Sequence, residues 1–464
     1  MKRVKSASIK GKQKVDEAGS EEFVTYFNNI HIPLEVTSQI LLNLPIKSIL
    51  KCRFVCKNWN KLISSQGFSK LLCLRAPIGF LLRTENCELV SRTLHLLDGS
   101  EIEFNEEVIK LEPIFKLPLR DSNYDTKEML SERPLHCDAK LILDKDKLEC
   151  SRQRLKIACS PDRDKFLVVN SFNGLLCLCA PSQKNPIVVC NPVTGEFIRV
   201  PDPPPWKRPN TTHKQTCIHI AFGFQPKTNE YNVLKTWLKR AKGVDSSVVY
   251  DGVVAEIHTL GTPTWRNLEV DPALSSSSFI DLTFLTCVNG ALHWISKGRS
   301  ILCFNFESER FQSFPSPRVF ENNVGLEKGM EEHISMGELR GLLYICDKSS
   351  FQDVAMWVMS EYGIEESWTK VYSIDFLPSP LVKPDSCFGF CWPVKHFGEG
   401  AAILLYHSSG CFVYFEPDKC GFKVFKIHGT QSPVVDMIPH IPSLVSLKDV
   451  VKGDNVEVLS VHSR

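Results

Sequence analysis

Hydrophobic positions near the N-terminus follow a helical period. Val36, Ile40, Leu41 and Leu44 fall on one face at helical spacing. Pro33, followed by Leu34, Glu35 and Val36, opens this helix, because proline at the first helical position loses no internal hydrogen bond. Pro45 closes it, since proline lacks an N–H and pushes Leu44 out of the α region. Ile46, Ile49 and Leu50 predict a second helix, and Val55, Trp59, Leu62 and Ile63 a third. A unit below about 40 residues buries too little surface to stand alone. The stretch from Ile32 to Phe68 is therefore expected to complete its core against a partner.

Beyond Leu71 the period changes. Short runs rich in Val, Ile, Phe and Leu, punctuated by Gly, Pro, Asn and Asp, predict strands. These runs repeat. Asn173-Gly174-Leu175-Leu176, Asn289-Gly290-Ala291-Leu292 and Arg340-Gly341-Leu342-Leu343 each place a turn glycine before an apolar strand, and Ser409-Gly410-Cys411-Phe412 is a looser copy. A polar hairpin recurs at Asn191-Pro192-Val193-Thr194-Gly195-Glu196, at Asn305 to Phe311 and at Glu416 to Phe422, and Gln225 to Tyr231 has the same shape. Thr264-Trp265-Arg266 reappears as Ser367-Trp368-Thr369. Glycine-opened strand, tight hairpin and late tryptophan make up one four-stranded blade, and repeats of about 40 to 50 residues indicate an array of such units. Radial closure would protect strand edges that an open array exposes. About six blades are predicted, with a two-sheet sandwich as the alternative. Trp265, Trp294 and Trp368 are expected in the core.

Composition adds mainly exclusions. The net charge is +2, from 55 basic and 53 acidic side chains, so no global field points to nucleic acid or a membrane surface. No run reaches the roughly 18 uninterrupted apolar residues of a membrane-spanning helix. The N-terminus carries Lys2, Arg3, Lys5, Lys10, Lys12 and Lys14 without the apolar stretch of a secretory signal. It reads as a solvated tail, with a nuclear address as the second reading. Cytoplasm or nucleus is the expected compartment. Eighteen cysteines then behave as small buried hydrophobes, not as disulfides. The close pairs Cys52/Cys56, Cys177/Cys179 and Cys387/Cys391 lack zinc-module spacing. No phosphate loop, nucleophile elbow or metalloprotease motif occurs. Ser408-Ser409-Gly410 lacks the preceding glycine of an elbow. His293, inside a repeated strand, reads as a packed or hydrogen-bonded histidine, and Asn210-Thr211-Thr212 as an ordinary loop. No cofactor or metal is expected.

Two resemblances follow from these motifs. Ile32-Pro33-x-Glu35, Ile40-Leu41-x-x-Leu44-Pro45, Ser48-Ile49-Leu50 and Arg53-x-Val55-Cys56-Lys57-x-Trp59 together resemble an F-box, with Ile32 where leucine is commoner. The ordinary alternative is a three-helix cap on a larger domain. Asn173-Gly174-Leu175-Leu176, Asn191-Pro192-x-Thr194-Gly195-Glu196, Thr264-Trp265-Arg266 and Val288-Asn289-Gly290-x-x-His293-Trp294 resemble the kelch-like F-box-associated domain of plant F-box proteins. The double glycine of true kelch repeats is absent. The implied fold is α+β and multidomain: a small three-helix F-box followed by an all-β kelch-like propeller. The expected layout is a basic tail over 1–28, the F-box over 29–72, the propeller over 73–440 with an irregular insertion at about 100–164, and a C-terminal tail over 441–464.

The resemblance implies a substrate receptor of a cullin–RING ubiquitin ligase, with no catalysis of its own. The F-box would dock on a Skp-type adaptor, and through it cullin, while the propeller recruits an unidentified protein. The implied adaptor-binding residues are Pro33, Leu34, Glu35, Ile40, Leu41, Leu44, Pro45, Leu50, Val55 and Trp59. Substrate recognition is expected on a loop rim remote from the F-box. The candidate loops are Pro201 to Arg208, where Trp206, Lys207 and Arg208 combine an aromatic anchor with two cations, and Arg318 to His333. An ordinary surface linker is the alternative for the first. From another class comes a glycan- or small-ligand-binding module using the propeller mouth.

Overall fold

The computed structural model describes residues 25–27, 30–76, 79–84, 93–97, 108–110, 113–117, 166–179, 186–202, 216–242, 248–271, 274, 279, 282–296, 299–320, 334–347, 353–375, 391–397, 402–407, 411–417, 421–428, 434–451 and 456–461. Two compact units divide the chain, Met1–Leu71 and Leu72–Arg464.

In the first unit a short hairpin, β1 (Thr25–Phe27) and β2 (Ile30–Ile32), precedes the helices, so the tail expected over 1–28 already pairs at Thr25. Helix α1 (Leu34–Leu42) has Pro33 as its N-cap and α2 (Ile46–Cys52) has Pro45, one position outside the first helical residue. Each proline carbonyl accepts the first backbone N–H groups, Thr37 at 3.0 Å and Ser48 at 2.9 Å, so the missing donor costs nothing. Helix α3 (Lys57–Ile63) is capped by the Cys56 sulfur, which accepts from the Trp59 N–H at 3.4 Å. A fourth helix, α4 (Gln66–Arg75), follows where three were expected, and the division between units falls within it. Leu41, Leu42, Ile46, Ile49, Ile63 and Phe68 are buried.

The second unit is a six-bladed β-propeller. Strands β3 (Gly79–Thr84), β4 (Thr93–Leu97) and β6 (Pro113–Lys116) form part of one blade, while β5 (Val108–Lys110) leaves that blade. These last two strands lie inside the expected insertion, so residues 108–116 are blade structure; most of the remainder of 100–164 lies outside the described residues. A second blade is β7 (Leu167–Phe172), β8 (Leu175–Cys179), β9 (Ile187–Asn191) and β10 (Glu196–Val200). The third is β11 (Thr216–Gln225), β12 (Glu230–Lys242), β13 (Val248–Thr259) and β14 (Arg266–Leu268). The fourth is β15 (Leu282–Val288), β16 (Ala291–Ser296), β17 (Ile301–Asn305) and β18 (Arg310–Phe314). The fifth is β19 (Ile334–Leu339), β20 (Leu342–Asp347), β21 (Asp353–Met359) and β22 (Trp368–Asp375). The sixth is β23 (Cys391–Phe397), β24 (Ala402–His407), β25 (Cys411–Glu416) and β26 (Gly421–His428).

Closure is made by β27 (Val434–His440), which pairs with β3 and becomes the innermost strand of the first blade. The first blade also reaches both neighbours. Its excursion β5 pairs in parallel with β26, and the C-terminal β28 (Leu459–Ser460) pairs with β10. The tail expected over 441–464 is therefore corrected. Ser443, Leu444 and Leu447 are buried, and the short helix α5 (Leu447–Val450) joins the core between the second and third blades. Each remaining apolar cluster likewise fills the space between adjacent blades, with Phe304 and Trp294 on one, Trp368 on the next and Phe412 on the last.

The glycine turns explain themselves. Asn173-Gly174 (φ +48° and +79°), Asn289-Gly290 (+50°, +71°) and Arg340-Gly341 (+55°, +81°) hold the left-handed geometry that a two-residue hairpin needs. All three lead from the first to the second strand of a blade, whereas Ser409-Gly410 precedes β25, a third strand. Trp294 and Trp368 are buried as expected; Trp265 is only half-buried.

Candidate functional site

The F-box-like helices present an apolar surface. Along α1, Val36 and Ile40 sit one turn apart and are 46% and 50% exposed. In the turn between α2 and α3, Phe54 is 90% and Val55 56% exposed. Arg53 pins that turn, donating to Asn60 Oδ1 at 3.4 Å and Ser64 Oγ at 3.2 Å on α3. Isolated apolar residues on a surface are ordinary, but several large ones on a small helical unit mark an interaction surface.

The predicted adaptor-binding residues do not all share this surface. Pro33, Glu35, Ile40, Pro45 and Val55 are exposed, and Leu34, Leu44, Leu50 and Trp59 are half-buried. Leu41 is 0% exposed and is removed from the surface set. It lies beside Ile40 on α1 but points into the unit, where it supports the neighbouring helices. Val36 and Phe54 were absent from the predicted set. The Val36/Ile40 spacing of four residues was the signal for the first; nothing in the period marks Phe54, which sits in a turn.

Within the propeller, all six innermost strands run the same way. They begin at Leu167, Thr216, Leu282, Ile334, Cys391 and Val434. The chain's first propeller strand starts at Gly79, opposite His440, at the end where the inner strands finish. The connections into β11 and β19, which contain the two candidate recognition loops, deliver the chain to the opposite, starting end. Trp206, Lys207, Arg208 and residues 321–333 lie outside the described residues.

The inner strands enclose a cavity of about 540 Å³ along the propeller axis. Five of these strands (β7, β11, β15, β23 and β27) carry a one-residue register shift near their start. A bulge of this kind bends the strand and re-aims its side chains. In β15 the bulge puts Phe284 at φ +48°, a conformation costing an aromatic residue about 1–3 kcal/mol. Phe284 meets Trp392 edge-on at 6.2 Å, and Trp392 stacks on Tyr406 at 5.8 Å, all on the cavity wall. Asn170 spans two blades, donating to Phe222 O at 2.7 Å and accepting from Phe222 N at 3.0 Å.

His293 is fully buried, with Nε2 2.9 Å from the Tyr362 hydroxyl and its ring edge-on to Phe314. Burial lowers its pKa to about 4, so the ring is neutral and acts as a packed, hydrogen-bonded group. Burial also raises the thiols of Cys177 and Cys190, and takes Cys287 to about 12, which keeps them protonated and inert.

An exposed apolar helical unit followed by a closed six-bladed propeller defines a class of protein, that of F-box chains with a propeller attached. Comparison with known families agrees with both parts of this arrangement. The F-box domain matches residues 30–71, and the F-box associated beta propeller domain matches residues 138–449. The second match covers more than half of the chain, and the protein belongs to that F-box associated propeller family. Among its relatives in Arabidopsis thaliana, F-box protein At3g07870 is 25% identical over 434 residues, covering 86% of this chain and 88% of its own. F-box/kelch-repeat protein At3g23880 is 23% identical over 421 residues, covering 86% of this chain and 91% of its own.

Proposed function

We propose that the protein is the substrate-recognition subunit of a cullin–RING ubiquitin ligase, acting in cytoplasm or nucleus. Its F-box binds a Skp-type adaptor, its propeller captures a target protein, and the transfer of ubiquitin is left to other subunits. The observation that carries this reading is the uncovered apolar set Val36, Ile40, Phe54 and Val55 on a unit that belongs to the F-box family. The propeller supplies the second half of the reading. Its inner strands β11 and β19, which follow the two candidate recognition segments in the chain, start at the end opposite Gly79, and loops on a rigid scaffold suit recognition.

The test is capture of a Skp-type adaptor by the full chain. Ile40→Asp with Val55→Asp should abolish capture while leaving the melting temperature unchanged, since desolvated apolar anchors carry about 2 kcal/mol or more each. Leu41→Ala should instead lower the melting temperature, because emptying a buried leucine site costs about 2–5 kcal/mol. Capture by the double variant at wild-type affinity would refute the assignment.

A further inference from the structure

The axial cavity holds a carboxyl group with no ion-pair partner among the described residues. Glu338 stands near the end of β19, half-buried, and its Oε1 accepts from the Gly341 N–H of the following turn. Among the described residues no cation pairs with it. Burial pushes its carboxyl above the usual range. The neighbouring Gly337 faces Tyr344 across the ladder, and a Cβ there would come within 2.4 Å of the Tyr344 hydroxyl. The missing side chain lets the Tyr344 ring cross the inner strand, so that it too lines the cavity.

Other parts of the wall supply hydrogen-bonding groups. Ser171 Oγ lies 2.9 Å from His440 Nδ1, while His440 Nε2 has no hydrogen-bond partner among the described residues. The aromatic faces of Trp392 and Tyr406 complete the enclosure, held by the strained bulge at Phe284. A carboxylate with no described counter-charge, aromatic rings and spare hydrogen-bonding capacity around one cavity complement an organic cation, whose charge gains from both the carboxylate and the rings.

We propose that this axial cavity binds an ammonium or guanidinium group, with Glu338 as counter-charge and Trp392 as aromatic wall. The group is carried either by a free amine or by a Lys or Arg side chain of a bound peptide. The inference is independent of adaptor docking and stands whether or not that reading holds. The competing structural role for Glu338 is to cap the Arg340-Gly341 turn, which Glu338→Gln preserves because the amide oxygen still accepts.

Saturation-transfer NMR and calorimetric titration of the full chain decide the matter. The probes are butylammonium, butylguanidinium, acetyl-Gly-Lys-Gly-amide and the neutral pentan-1-ol. The cations should bind and pentan-1-ol should be at least roughly tenfold weaker; Glu338→Gln should lose roughly tenfold for the cations at unchanged melting temperature. Tighter binding of the peptide than of butylammonium would identify a peptide side chain as the source, and the reverse order a free amine. Equal affinity for cation and alcohol, no binding of any probe at roughly millimolar concentration, or an undiminished Glu338→Gln would each overturn the proposal. Should Glu338→Gln fail to fold, Trp392→Leu takes its place: loss of cation binding supports the site, and retention overturns it.

Discussion

The indole N–H of Trp265 donates to the carbonyl of Pro201 at 2.7 Å, and that of Trp368 donates to Pro315 at 3.1 Å. Each acceptor directly follows the fourth strand of the preceding blade, Pro201 after β10 and Pro315 after β18. The proline has left the sheet ladder, so its carbonyl is open to a partner outside its own sheet. The repeated late tryptophan is thus a tie between blades, which explains why the motif recurs at one blade position.

That tie gives a graded stability series. Trp368→Phe keeps most of the apolar volume and removes the donor, leaving the Pro315 carbonyl unpaired, at a cost of about 1–3 kcal/mol. Trp368→Ala also empties a buried site and should cost about 3–5 kcal/mol. The half-buried Trp265 should tolerate the same changes better. Urea denaturation midpoints measure the order; equal midpoints for wild type and Trp368→Phe would remove the hydrogen bond from the account.

A second prediction concerns the C-terminal latch. Glu196 at the start of β10 accepts from Ser446 Oγ at 3.0 Å and from the Leu447 N–H at 2.8 Å. Asn191 donates to the carbonyls of Ser443 at 3.0 Å and Val445 at 2.8 Å. Gly174 is held to glycine by the same segment, since a Cβ there would lie 2.0 Å from that of Ser443. Glu196→Ala should cost about 1–3 kcal/mol by orphaning these donors. Truncation after His440 should do more, because it also takes the buried Leu444 and Leu447 out of the core and removes β28. Thermal melts and limited proteolysis compare the three chains, and a truncated protein as stable as the full one would mean the latch is passive.

The repeats were readable because local chemistry demands them. Asn173-Gly174 and Asn289-Gly290 need positive φ at both turn positions, and few residue pairs supply it. Strand alternation and the late tryptophans follow from packing between blades. The latch was unreadable for the opposite reason. Residues 441–450 have no strand or helix period, and what orders them is Asn191 and Glu196, about 250 positions away. Leu41 was misplaced because Ile40 and Leu41 are adjacent on a short helix, and period alone does not say which of them turns inward. Nor does period reveal the axial cavity, whose wall is assembled from five blades with Glu338 and His440 on different ones.

The last prediction is acid sensitivity. Burial lowers the pKa of His258 and His293 to about 4 and of His440 to about 3, from an ordinary value of 6.5. A folded-state pKa below the unfolded one means that the unfolded chain takes up protons the folded chain refuses. The stability is therefore fully present above about pH 6.5 and falls as pH drops through that value toward about pH 4, by up to about 1.4 kcal/mol per pH unit for each histidine. Glu338 acts with the opposite sign, since its raised pKa favours the folded state at lower pH, but one partly buried carboxyl offsets only part of three histidines. The melting temperature should fall between pH 7.5 and pH 5, and His293→Gln, which cannot take up a proton there, should make the fall shallower. A flat profile over that range would show that these rings are hydrated in the folded protein, and that the blade interfaces around His293 and His440 admit water.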